Sequence, residues 1–140
     1  MRPFTLLITM ASIASLACLP LRTHASSSHV DPALFGTWQG ERNPQGPCKY
    51  LAWTLTRTAD GMFTVRYFQD AQRTAFIDEE KGVWTTEGGR LTVLTEGDDR
   101  AEVFAYALPD KDTVTHGLLT PDPDGSCPED AAYSEYRLLR

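Results

Sequence analysis

ALFGTWQGE (residues 33–41) is the stretch whose reading decides the fold. Gly36, Trp38 and Gly40 alternate with Thr37, Gln39 and Glu41, and alternate residues of a strand share one face. One face is then an indole between two glycines, and the other is polar. Glycines beside a large ring leave room where an interior narrows. The pattern predicts a first strand whose Trp38 points inward and plugs the closed end of a small β-barrel.

Working outward, the chain after this point shows period-2 alternation and little helical periodicity. Eight strands are expected, at about 35–42, 49–57, 62–70, 76–86, 90–97, 101–109, 113–119 and 132–139. TADG (58–61), EGG (87–89), EGDD (96–99) and PDKD (109–112) separate them. Asp-Gly and Gly-Gly supply the positive φ angles that tight hairpins demand. Only TPDPDGSCPED (120–130) is a long, Pro-rich connection. Eight hairpin-linked strands fit an all-β, antiparallel up-and-down barrel, which leaves no open sheet edge.

The cysteines test that closure. Cys48 closes the first connection and Cys127 lies in the seventh. In an up-and-down barrel, strands one and eight are neighbours, so these two connections meet at the same rim. A Cys48–Cys127 disulfide is expected on that ground, and the compartment inferred next is one where disulfides persist.

Residues 1–25 read as a signal peptide: Arg2, an apolar run from Phe4 to Leu21, then THA (23–25) as a cleavage site. The alternative is a lipid anchor at Cys18, because SLAC (15–18) resembles a bacterial lipobox with Ser15 in the usual Leu position. Residues 26–33 are expected to be a flexible start and 34–140 the barrel domain, large enough for one core. The protein is expected to be periplasmic or secreted, with no membrane span left after cleavage. The whole chain has a net charge of −6, and loss of Arg2 and Arg22 with the leader makes it more acidic. That charge argues against nucleic acid and anionic membranes as partners.

GTW (36–38), an Arg on the last strand and eight hairpin-linked strands resemble the lipocalin (calycin) group of barrels. WTLTRTADGMFTVRY (53–67) with KGVWTTEGGRLTVL (81–94) is similar to small secreted bacterial domains of that kind. The resemblance implies that the Gly36–Trp38 pair closes the base and that a last-strand arginine packs on the indole. Arg140 is the expected arginine, because it shares parity with Tyr136 and Leu138; Arg137 is the alternative.

Alternation places Leu51, Leu55, Phe63, Val65, Leu91, Val93, Phe104 and Leu118 inside, along with Tyr136 and Leu138. Either these groups fill the barrel or they line a cup with polar tips. In the second case the expected ligand-binding residues are Trp53, Tyr67, Trp84, Tyr106 and His116. No cofactor or metal is expected, because neither Cys48 nor Cys127 has a second Cys or His at ligand spacing. DPDG (122–125) lacks the further acids of a calcium loop. There is no Gly-x-Ser-x-Gly, His-Glu-x-x-His or phosphate loop, so no catalytic residue is assigned and no enzyme is expected. The expected function is binding of a small apolar or amphiphilic molecule. The alternative is a protein-binding module, such as an inhibitor of a basic secreted hydrolase of the lysozyme type. The Ser-Gly-x-x-Tyr loop of such inhibitors is not visible.

Overall fold

The computed structural model describes residues 29–122, 125 and 127–139. The expected signal peptide, Cys18 and Arg140 lie outside the described residues. Eight strands run β1 (Gly36–Glu41), β2 (Ala52–Arg57), β3 (Met62–Phe68), β4 (Phe76–Glu87), β5 (Arg90–Thr95), β6 (Glu102–Asp110), β7 (Thr113–Leu118) and β8 (Ala132–Arg137). They form a closed antiparallel barrel in chain order, with β8 returning to β1. The expected all-β up-and-down barrel is the observed one. No helix among the described residues is long and apolar enough to cross a membrane.

The two ends differ in construction. At one end lie the tight turns after β2, β4 and β6, where Gly61, Gly88 and Gly89 hold positive φ. At the other end lie the longer connections 42–51, 69–75, 96–101 and 119–131. Cys48 and Cys127 are joined across that rim, with Cα atoms 5.8 Å apart. Beside the disulfide, Arg42 donates from Nε and Nη2 to the two carboxylate oxygens of Asp130, at 2.9 and 2.7 Å. The two bonds link the same pair of connections.

The tight end is closed by the segment before β1. Asp31 caps a 3₁₀ turn (Pro32–Leu34), accepting from the Ala33 amide at 2.9 Å. The carbonyl of His29 accepts from the Thr86 amide, and Leu34 is fully buried. The described part of the segment expected to be flexible, residues 29–33, is therefore built into the barrel base. Its Val30 and the adjoining Leu34 pack against the core, and burying them favours the docked arrangement.

Trp38 is fully buried at this base, and its indole N–H donates to the Leu34 carbonyl at 3.0 Å. The guanidinium over the indole is that of Arg137, 4.2 Å from the ring. Arg137 also donates to the carbonyls of Phe35 and Ala33, at 2.6 and 2.8 Å. Gly36, at φ 106°, admits this approach, since a Cβ there would sit 3.3 Å from Arg137 Nη1. The arginine expected at position 140 is thus replaced in that role by Arg137. The reason is that β8 presents the other face: Tyr136 is 58% exposed and Leu138 is also outside, while Glu135 is buried.

Candidate functional site

Above the Trp38 plug the barrel is hollow. A cavity of about 1050 Å³ opens toward the disulfide rim, just above the ~300–1,000 Å³ typical of ligand pockets. Its apolar wall includes Leu51, Trp53, Leu55, Val65, Val93 and Phe104. These residues face inward because each occupies the apolar parity of its strand, and antiparallel register stacks them: Trp53 opposite Tyr67, Leu55 opposite Val65, Leu91 opposite Phe104. Gly40 lies opposite Trp53 on β1. A Cβ at Gly40 would fall 2.3 Å from the indole, so only a glycine lets Trp53 lie flat against the wall.

Deep in the cup is a polar cluster that the sequence reading missed. Glu135 Oε2 accepts from Arg57 Nη2 at 3.1 Å and pairs with His116 Nε2 at 3.0 Å. Its Oε1 accepts from the Trp53 indole N–H at 3.0 Å. Arg57 and Glu135 side chains are 3% and 2% exposed. Burial pushes the Glu135 carboxyl up, but Arg57 and then His116 outweigh it and hold the group at about 2. The carboxylate is ionised with its charge compensated, as a buried charge must be.

Of the five residues expected to bind ligand, Trp53, Tyr67 and Trp84 line the cavity. Tyr67 stands beneath the rim, its hydroxyl donating to Glu80 at 3.1 Å; burial and then Glu80 raise it well above the usual tyrosine range. Trp84 lies near the base, donating to the Met62 carbonyl at 3.0 Å. Tyr106 and His116 do not line the cup. The Tyr106 hydroxyl donates instead to Asp31 of the base segment at 2.8 Å, and burial with that bond pushes it up to about 12. His116 packs against the rings of Phe104 and Tyr133 with its Nε2 on Glu135.

Arg57, Glu135 and Tyr133 take part in the cup instead. Arg57 was legible by parity with Trp53 and Leu55. Glu135 had no such signal, because Arg57 and Trp53 lie 78 and 82 residues away and His116 lies on the preceding strand, 19 residues away.

The mouth is acidic. Asp78, Glu80, Asp98, Asp99 and Glu102 border it, outnumbering Arg42 and Arg100 there. Glu102 is partly buried among them, and burial together with Asp98 and Glu80 raises its carboxyl. Among the described residues, the one grouping at metal-ligand distance is Cys48, Cys127 and Glu129, and its thiols are consumed by the disulfide. Comparison with protein-family models, with curated proteins and with solved structures finds no match.

Proposed function

We propose that this protein is an exported, lipocalin-like binding protein that holds one small apolar or amphiphilic molecule in the barrel and does no chemistry on it. The observation that carries the reading is the cup itself: a cavity of about 1050 Å³ with an apolar wall and one open end. Apolar area supplies most of the affinity of such a site, and a few fixed polar groups orient the guest. The lipocalin-like assignment is supported by Trp38 plugging the base under the Arg137 guanidinium. The disulfide is consistent with an oxidising extracellular or periplasmic location. A non-catalytic role is supported by the buried Glu135, whose oxygens are occupied by Arg57, His116 and Trp53.

The rival reading is a protein-binding module for a basic partner. It is favoured by an exposed apolar row in register on the outer wall: Met62 opposite Val83, and Val83 opposite Leu94. The deciding experiment is a titration with N-phenyl-1-naphthylamine, a neutral apolar fluorophore. Saturable binding of one molecule per chain is expected. Trp53→Leu should weaken it about tenfold, the ratio that ~1.4 kcal/mol of lost contact gives. Val83→Ser on the outer wall should leave it unchanged. Absence of saturable binding, with salt-sensitive capture of a basic lysozyme, would transfer the assignment to the rival.

A further inference from the structure

Most polar side chains in the body of the cup are already bonded. The Trp53 indole and Arg57 Nη2 donate to Glu135, Tyr67 donates to Glu80, and Trp84 donates to the Met62 carbonyl. The Tyr133 hydroxyl has no hydrogen-bond partner among the described residues. Nor is it sealed off: the enclosed side-chain atoms without a partner are Arg57 Nη1, His116 Nδ1 and Glu129 Oε2. Tyr133 is only half-buried and lines the cup.

The ring is fixed and its free end faces inward. Tyr133 stands opposite His116 on β7, with ring centres 4.8 Å apart, and meets Trp53 and Phe104 edge-on at 5.4 and 6.0 Å. It also borders an outer cleft between β1 and β8. The charged groups that act on its hydroxyl, however, are Glu135, Arg57 and Glu102, and all three line the cup. The hydroxyl therefore belongs to the cup side.

A guest that fills the cup displaces solvent from this hydroxyl. A guest without an acceptor strands the O–H, whereas one with an oxygen at that point restores the bond. Sites that hold such a group discriminate strongly against analogues lacking its partner. The charge of the oxygen is also restricted. Burial and then Glu135 raise the hydroxyl well above the usual tyrosine range, Arg57 opposes them less, and Glu102 adds to the rise. The group is thus a neutral donor in a negative surrounding, which disfavours a carboxylate.

We propose that the Tyr133 hydroxyl is the specificity-determining donor of the cup, and that the guest is a neutral, largely apolar molecule with a ketone or ester oxygen placed to accept from it. This proposal rests on the reading of the barrel as a ligand cup.

Three probes of one shape separate the possibilities: 2-acetylnaphthalene, its hydrocarbon counterpart 2-isopropenylnaphthalene, and 2-naphthoate. Each is competed against N-phenyl-1-naphthylamine on the parent protein and on Tyr133→Phe, which keeps the ring. The ratio of ketone to hydrocarbon affinity should fall about tenfold in the variant, the size of one hydrogen bond. In the infrared, the carbonyl stretch of bound 2-acetylnaphthalene should lie lower in the parent than in Tyr133→Phe. The urea midpoint of the variant should not fall, because no bond within the protein is lost. An unchanged ratio, an unshifted stretch or a lowered midpoint would overturn the role of Tyr133, and tightest binding of 2-naphthoate would overturn the neutral guest. Each of these leaves the cup reading standing as long as the fluorophore binds. Failure of the fluorophore and of every probe to bind would overturn both.

Discussion

Replacing Glu135 with Gln keeps the shape of the side chain and removes its charge, which makes it a sensitive probe of the buried cluster. In the native protein Glu135 faces Arg57 and His116, with Arg57 and Glu135 side chains 3% and 2% exposed. Removing one partner of a buried ion pair costs about 3–5 kcal/mol, because the other charge is stranded. The pH dependence gives a second route. The carboxyl falls from 4.5 to about 2 on folding, which corresponds to roughly 3 kcal/mol. A depressed carboxyl contributes its full stability above about pH 4.5 and loses it as the pH falls toward 2. Both routes give the same order of magnitude.

Glu135→Gln should therefore lower Tm at pH 7 by about 12–20 °C, at roughly 4 °C per kcal/mol for a domain of this size. Urea unfolding of parent and variant across pH 2–6 is the more telling assay. The gap between them should be widest at neutral pH and close as the parent is acidified. Asp60 and Asp70 are also lowered, by hydrogen bonds from Thr58 and Thr74 respectively, but they are present in both proteins and cancel in the difference. Arg57→Met with Glu135→Leu should recover part of the loss, since apolar replacement of a buried pair is often neutral but the Trp53 indole and His116 lose their partner as well. A gap below about 0.5 kcal/mol at pH 7, the size of an ordinary surface substitution, would refute the assignment of a buried, compensated carboxylate. So would a gap that did not change with pH.

Trp38→Ala should cost about 3–5 kcal/mol, as truncation of a buried aromatic does, and calorimetry should show it as lost Tm with fluorophore binding kept in the folded fraction. Cys48→Ser with Cys127→Ser opens a link spanning 79 residues and should cost about 4 kcal/mol by the loop-entropy relation, read from denaturant midpoints.

The strands were legible because their signals are local. The β3 stretch expected at 62–70 forms Met62–Phe68, since apolar alternation and the Asp60–Gly61 turn are both contained within one hairpin. The shared rim of Cys48 and Cys127 followed from strand order alone, and the bond is there. The face of β8 was not legible in the same way. Its sequence carries bulky groups at both parities: Tyr133 on one, Tyr136 and Leu138 on the other. Apolar counting favours the second, but Glu135 finds Arg57, His116 and Trp53 only across the closed barrel. Burial of that paired charge turns Tyr133 and Arg137 inward with it. Tyr106 has the expected parity, yet the base segment takes its hydroxyl through Asp31. Alternation names a face but not a depth, and so could not tell a cup residue from a plug residue. For the same reason it left open whether the interior was filled.

The closure of β1 on β8 has a consequence for how the chain folds. Every other strand pairs with its neighbour in sequence, but here Trp38 pairs with Arg137 and Gln39 with Tyr136. The bond from Arg137 to the Phe35 carbonyl spans 102 residues. Contacts of such high sequence separation are slow to form. Once Cys48 and Cys127 are joined, the open loop shrinks from about 100 residues to about 20, which lowers the entropic barrier to closure by roughly 1.4 kcal/mol. The oxidised chain should close its barrel about tenfold faster than the reduced one. The rim disulfide therefore acts on the speed of assembly at the opposite end of the barrel, where the Trp38 plug has to find its arginine.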